Sequence, residues 1–249
     1  ILGFLLNWGL FGSLSVQLYL YYLAFPDDRT FAKVYTVYLI EFVATIMLTH
    51  DAFSIYGYGF TDPSAATTLS LSWLEVPVMG GFVAFLAQSF YSYRAHVLSK
   101  SLLIPCLITA VSAVSEPFLL PVSWLNSVQA GSVTNLEVHR VKSAQVWLRS
   151  SAICDITIAV CMTYYLTKND TGFHRTHQLV SRLTRLIIET GSLTAVVALA
   201  ALILLLALPR DVYYSTPVTI LVELYANTIL VVLNSRMKIV GGRGTETSS

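Results

Sequence analysis

The sequence predicts an all-α, single-domain bundle of seven transmembrane helices. Hydrophobic residues fill 55% of the 249 positions and charged residues only 12%, whereas a soluble domain carries roughly 25% charged residues. The charges lie between apolar runs of about 20 residues, a length that crosses a hydrocarbon core about 30 Å thick. Aromatic residues mark the ends of many runs, as expected for rings that prefer the headgroup region.

The clearest run extends from Leu186 to Leu208, with Arg182 and Arg185 before it and Glu189 as its only ionisable residue. Soluble helices do not need an apolar stretch of this length, so the run indicates a membrane span. Six other runs have a similar length. In chain order, the predicted spans are Gly3–Ala24, Val34–Tyr56, Ser70–Tyr93, Ser101–Trp124, Val146–Leu166, Leu186–Leu208 and Val212–Leu233.

The first run is too long for the core of a cleavable signal peptide, so it is expected to be a span. Because the chain starts at Ile1, further residues are expected before it. The longest predicted loops are Asn126–Gln145 and Thr167–Leu183, neither long enough for a second domain. We therefore expect one domain over residues 1–240 and a disordered polar tail over residues 241–249.

Loop charges predict the orientation of the bundle. Eleven of the 15 Lys and Arg residues fall on one side of the predicted spans and four on the other. Cytoplasmic loops carry the excess of basic residues, which places the N-terminus outside and the C-terminus in the cytosol. The four outer residues are Arg140, Lys142, Arg149 and Arg210. The basic cytosolic face is a candidate surface for a protein partner, and the bilayer itself is the expected environment.

Ionisable residues inside spans are functional candidates, because burying them in a membrane is costly. The predicted outer polar pocket consists of His50, Asp51, Glu75, Glu116 and Asp155. A second set forms a candidate intramembrane polar path: Glu41, Glu189, Glu223, Asn227 and Asn234. An acidic pocket could accept a small ligand, an amine or a cation, or relay protons. The alternative is that these groups form hydrogen bonds between helices and fix packing.

Polar and small residues also recur at helical spacing. Glu223, Asn227, Leu230 and Asn234 lie on one face of the seventh span, which indicates packing between helices or the lining of a channel. Gly9, Ser13 and Gln17 predict an inward polar face on the first span. Pairs of small residues that allow close helix approach are Gly80 with Ala84 and Gly191 with Ala195.

The sequence gives little support for an enzyme, and no cofactor or metal is expected. None of the five lysines lies in the middle of a span, so no retinal Schiff base is expected. His50 is the only histidine clearly within a span, which argues against a zinc hydrolase and against paired haem ligation. Nucleotide-binding and nucleophile motifs were not found. A net charge of +1 argues against nucleic acid as a partner.

Two resemblances extend the interpretation. Seven spans with an outer N-terminus are similar in architecture to a G-protein-coupled receptor, although the hallmark motifs of that class are absent. A closer resemblance rests on the segments Val16-Gln17-x-Tyr19-x-Tyr21-Tyr22, Phe25-Pro26-x-Asp28, Lys33, Arg94, Leu98-Ser99, Thr190-Gly191-x-Leu193-Thr194-Ala195 and Leu233-Asn234-Ser235-Arg236. In these segments the chain resembles a family of uncharacterised multi-pass membrane proteins of mushroom-type fungi, a domain of unknown function.

That resemblance implies a seven-helix membrane protein and brings no activity or ligand with it. The sequence leaves three functions open. Receptor-like sensing through the outer polar pocket is the leading hypothesis, and a cation- or proton-coupled transporter or channel is the first alternative. A membrane scaffold, with every polar group satisfied between helices, is the third. The choice between plasma membrane and internal membrane also stays open, because spans of average length do not indicate which membrane a protein occupies.

Overall fold

The computed structural model describes residues 1–26, 28, 31–58, 79–99, 133–168, 174–208 and 212–235. All regular structure in these residues is helical. The six α-helices are α1 (Leu2–Ala24), α2 (Phe31–Phe53), α3 (Gly81–Ser99), α4 (Val133–Lys168), α5 (His174–Ala207) and α6 (Ser215–Asn234). A π-helical turn at Ser54–Tyr58 follows α2, and a 3₁₀ turn at Val212–Tyr214 precedes α6.

Three stretches within these helices are long and apolar enough to cross a membrane by length and composition: Lys33–Gly57, Arg185–Ala207 and Ser215–Asn234. Large apolar side chains are exposed along several helices, with Val16, Val160 and Ile203 each at least 60% exposed. A monomeric soluble protein rarely shows so much apolar surface, whereas lipid covers it at no cost. The chain is therefore a helical membrane protein.

Two predicted loops are partly helical, and those predictions were wrong. Helix α4 begins at Val133, inside the expected outer loop Asn126–Gln145, and α5 begins at His174, inside the expected inner loop Thr167–Leu183. Hydropathy marks the part of a helix within the lipid, not the position where the helix ends. These polar extensions contain Leu, Arg, Lys and Gln, which favour helix without being apolar.

Helix α6 lies at the centre of the described bundle. Thirteen of its 20 residues are buried, whereas α1 buries only four of 23. It packs against α1 and α2 on one side and against α3 and α5 on another. Helices α4 and α5 pack together as a hairpin, since only residues 169–173 separate them.

Side-chain contacts give the relative directions of the first, second and last helices. Hydrogen bonds pair Trp8 with Thr49 and Ser15 with Tyr38, so α1 and α2 are antiparallel. Along α1 and α6 the paired positions rise together, from Asn7 with Glu223 to Gln17 with Asn227, so these two helices are parallel.

Of the two predicted pairs of small residues, the one that begins at Gly80 shows a close helix approach. Gly80 is buried against α6, and a Cβ atom built on it would lie 2.5 Å from Cγ2 of Val222. Gly191 is buried on α5, where an added Cβ would lie 3.9 Å from the backbone oxygen of Asp155 on α4. Ala84 and Ala195 are also buried.

Candidate functional site

A row of amide side chains joins α1 to α6. Asn227 donates from Nδ2 to the Leu10 carbonyl at 3.2 Å, and its Oδ1 accepts from Gln17 Nε2 at 3.1 Å. Asn234 donates from Nδ2 to the Gln17 carbonyl at 2.9 Å. These bonds run from one helix to the other, so the predicted stripe on the last span contacts α1. The packing interpretation of Asn227 and Asn234 accounts for these contacts.

Glu223 lies where α1, α2 and α6 meet, and its side chain is fully buried. Its Oε1 atom accepts from Asn7 Nδ2 on α1 at 3.1 Å and from Thr45 Oγ1 on α2 at 3.2 Å. Two acceptor atoms here, Oε2 of Glu223 and Oδ1 of Asn7, are buried without a hydrogen-bond partner among the described residues. One carboxyl group therefore ties three helices together and keeps an unused oxygen.

Asp155 on α4 lies on the other side of α6. Its Oδ2 atom accepts a hydrogen bond of 2.9 Å from the hydroxyl of Tyr225, and the side chain of Thr194 on α5 lies at the same carboxyl. Asp155 is 3% exposed and Tyr225 1%. A Cβ atom at Gly191 would lie 3.9 Å from the Asp155 backbone oxygen, an ordinary van der Waals distance, so the packing of α4 and α5 beside this carboxyl does not require glycine. Asp155 thus links α4 to α6 at a site that α5 covers.

Helix α2 carries two further buried acids, Glu41 at 1% and Asp51 at 2% exposed. His50 Nδ1 lies 3.4 Å from Asp51 Oδ1, and the His50 side chain is 61% exposed. Three members of the predicted outer pocket have described contacts. His50 and Asp51 contact each other on α2, whereas Asp155 contacts α5 and α6. Glu75 and Glu116 lie outside the described residues. Convergence of the five residues on one pocket stays a prediction.

Glu189 differs from the other acids of the predicted polar path. Its side chain is 54% exposed and accepts a hydrogen bond of 2.8 Å from Arg185 Nε, one helical turn earlier. Exposed ion pairs at this spacing contribute little to stability. On α6, Asn227 donates to the Glu223 carbonyl and Asn234 lies seven residues further along, whereas Glu189 lies on the outer surface of α5.

Sequence reasoning missed Asn7, Thr45 and Tyr225. Asn7 belongs to the buried face of α1, with Leu14 and Tyr21, whereas Gly9 and Ser13 of the predicted polar face are exposed. The repeat Asn7, Leu10, Leu14, Gln17 and Tyr21, at steps of three and four, would have identified this face. Thr45 and Tyr225 gave no comparable signal, because Thr and Tyr are frequent in membrane helices and only their buried partners distinguish them.

Within the residues that the structure describes, no group of three or more His, Cys, Asp and Glu side chains could hold a metal ion. The buried polar contacts between helices meet on α6, where α1 and α2 contact Glu223 and α4 contacts Tyr225. Residues 151–238 match a family of unknown function, DUF6534. The match covers about one-third of the chain and contains Asp155, Glu223 and Tyr225, whereas Asn7 and Thr45 lie outside it.

The DUF6534 match confirms the resemblance to a family of unknown function, and the match itself carries no activity. A search of the curated proteins and a search of the solved structures gave no match.

Substitution of Tyr225 tests the Asp155 contact. Tyr225→Phe removes the hydroxyl donor and leaves a buried carboxyl oxygen without it, so we expect the free energy of unfolding to fall by about 1–3 kcal/mol. Reversible unfolding in mixed detergent micelles measures this difference. Tyr213→Phe is the matched control, because Tyr213 is 63% exposed and its substitution is expected to leave stability unchanged. Equal effects of the two substitutions would contradict a stabilising contact at Asp155.

Proposed function

We propose that the protein is a seven-span membrane protein, with its N-terminus outside and its C-terminus cytosolic, that senses a small cationic ligand as a receptor does. One observation carries the proposal. Four acidic side chains, Glu41, Asp51, Asp155 and Glu223, are each at most 3% exposed. Apolar side chains would pack a bundle at lower cost than buried carboxyl groups do, so acids in such positions indicate a binding role.

Helix direction supports seven spans. Helices α1 and α6 are parallel, and the short connections that join α4 to α5 and α5 to α6 favour alternating directions. Helix α4 then starts on the side of the membrane where α2 ends, so an even number of crossings must lie between them. Helix α3 supplies one. A second crossing between Ser99 and Val133, where the sequence predicts the span Ser101–Trp124, satisfies this parity.

Helix α6 supports sensing. It contacts α1 and α2 through Glu223 on one side and α4 through Tyr225 on the other. In the proposed orientation α6 runs from the outer face to the cytosol. A cationic ligand at Asp155 would compete with the Tyr225 hydroxyl for the carboxyl and shift α6 relative to α4. The basic cytosolic face would then present the changed surface to a protein partner.

Transport is the second candidate, and one observation favours it. Glu41 and Asp51 lie ten residues apart on α2, which corresponds to about 15 Å along a helix. Buried carboxyl groups therefore occur over about half the thickness of a hydrocarbon core. A cation or a proton could bind them in sequence.

An origin from mushroom-type fungi rests on the sequence resemblance alone. Neither that origin nor the choice of membrane distinguishes the receptor from the transporter.

Thermal unfolding of the purified protein in lipid nanodiscs tests the sensing proposal. Primary and quaternary amines are added singly, and a binder at a hundredfold excess over its Kd is expected to stabilise the protein by about 2.7 kcal/mol. Asp155→Asn removes the negative charge and is expected to abolish the shift, whereas Glu189→Gln on the exposed surface keeps it. The proposal fails if no amine shifts the transition, or if Asp155→Asn responds as the unsubstituted protein does.

Proteoliposomes separate transport from sensing. Cation or proton flux driven by a pH gradient, and lost in Glu223→Gln, would favour the transporter. A ligand-induced shift in unfolding without flux would favour the receptor. A protein that shows neither response would be a scaffold, in which the buried acids serve packing alone.

A further inference from the structure

The junction of α1, α2 and α6 contains more acceptor atoms than donors. Glu223 Oε1 accepts from Asn7 and from Thr45. Glu223 Oε2 and Asn7 Oδ1 are buried, and neither has a hydrogen-bond partner within the described part of the chain. The two side chains already touch, because Asn7 Nδ2 lies 3.1 Å from Glu223 Oε1. The two unused oxygens thus belong to groups in direct contact.

Unused buried acceptors are costly, and buried polar atoms in membranes nearly always have a partner. A water molecule could donate to them, but it would leave the carboxylate charge uncompensated. A cation satisfies both requirements at once, because it binds oxygen atoms and neutralises the charge. Carboxylate, amide carbonyl and hydroxyl oxygens are the ligands that hard cations prefer.

The number of carboxylates decides the charge of the ion. Divalent sites in proteins combine several carboxylates or supporting His and Cys ligands. At this junction the Glu223 carboxylate accepts hydrogen bonds from α1 and from α2, and the buried Glu41 lies one helical turn before Thr45 on α2. No cluster of three potential divalent-metal ligands occurs in the described ranges. The Glu223 carboxylate, which contacts Asn7 and Thr45, carries one negative charge, and that charge matches a monovalent ion.

We propose that this junction binds one monovalent hard cation of the sodium class. Glu223 and Asn7 are its ligands through their unused oxygens, and the Thr45 hydroxyl oxygen, which donates its hydrogen to Glu223, supplies a third. A proton competes for the same carboxylate. Because the ligands come from α1, α2 and α6, the bound ion would hold these three helices together. The inference does not depend on receptor-like sensing at Asp155.

Thermal unfolding in nanodiscs at neutral pH tests the site. Caesium chloride is replaced by sodium chloride at constant ionic strength, so that general salt effects cancel and no amine that could bind at the proposed sensor is present. We expect the midpoint to rise by about 4 °C at a tenfold excess of Na⁺ over its Kd. Lowering the pH at fixed Na⁺ is expected to shrink this rise, because protons compete with the ion.

Glu223→Gln is the decisive variant. The amide keeps an acceptor oxygen for Asn7 and Thr45 and places a neutral NH₂ group, a donor, where the second oxygen was. We therefore expect Glu223→Gln to unfold at or above the midpoint of the Na⁺-free unsubstituted protein and to show no Na⁺ response. Asn7→Ala retains the charge but loses one ligand, so its response should require a several-fold higher Na⁺ concentration. This second variant preserves the test if Glu223→Gln does not fold.

Two controls separate this site from the proposed sensor. Asp155→Asn and Glu189→Gln are both expected to keep the full Na⁺ response, even where Asp155→Asn abolishes an amine response. The site is refuted if Na⁺ and Cs⁺ give the same midpoint, or if Glu223→Gln retains the Na⁺ shift. A midpoint that follows pH but is insensitive to Na⁺ would assign the carboxyl to a proton alone and also overturn the inference.

Discussion

Gly80→Ala is expected to lower the free energy of unfolding by about 1–3 kcal/mol, the usual range for overpacking a tight contact. The new methyl group would lie 2.5 Å from Cγ2 and 3.3 Å from Cγ1 of Val222. Val222 is buried on α6, and a β-branched side chain in a helix has one strongly preferred rotamer, so it cannot turn aside. Unfolding of the variant in mixed detergent micelles measures the loss.

Gly12→Ala provides the matched control. Gly12 lies within α1, and an added Cβ there meets nothing within 4 Å. Its substitution is expected to be neutral or slightly stabilising, since Ala favours helix over Gly. Val222→Ala combined with Gly80→Ala should recover much of the loss, because the smaller side chain leaves room for the methyl group. If the double variant is no more stable than Gly80→Ala, the clash is not the cause.

Asn227→Leu is expected to destabilise the bundle by about 1–3 kcal/mol, because it removes both hydrogen bonds by which this residue joins α6 to α1. Leu branches at Cγ as Asn does and is larger and more apolar, so lost burial does not explain the effect. The measurement is again the free energy of unfolding. A less stable variant with normal membrane insertion would identify the amide as an interhelical contact.

A double-mutant cycle with Gln17 isolates the amide pair. Gln17→Leu removes the donor to Asn227 Oδ1, so the two substitutions together should cost less than the sum of their separate effects. We expect a coupling of about 0.6 kcal/mol, the average measured for interhelical hydrogen bonds in a membrane protein, and no more than about 1.7 kcal/mol. Strict additivity would show that the pair contributes nothing.

Much of the helical architecture follows from the sequence. Expected spans coincide with α1 and α6 to within a few residues, because a bilayer imposes both length and hydropathy on a helix. The polar ends of α4 and α5 escaped prediction, since hydropathy does not register helix that extends into water. The close approach at Gly80 was visible as a pair of small residues four apart, but its partner Val222 was not.

The candidate site was only partly predictable. Burying a charged residue in a membrane costs free energy, so the acids within apolar runs, Glu223 and Asp155 among them, could be identified from the sequence. Their partners could not, because Asn7 and Tyr225 lie 216 and 70 residues away along the chain. Such pairing depends on how helices meet, and that information is tertiary. The cost of burying a charge also selected Glu189 from the sequence, but the structure places this residue on the exposed surface.

The burial of α6 has a consequence for biosynthesis. Among the six described helices it is the last to leave the ribosome, yet 13 of its 20 residues are buried. Until it arrives, Asn7, Thr45 and Asp155 have no α6 side chains to bond. A nascent chain that stops before Ser215 would therefore expose polar groups to lipid. Cellular quality control could recognise those groups, so premature termination there should lead to rapid degradation of the unfinished chain.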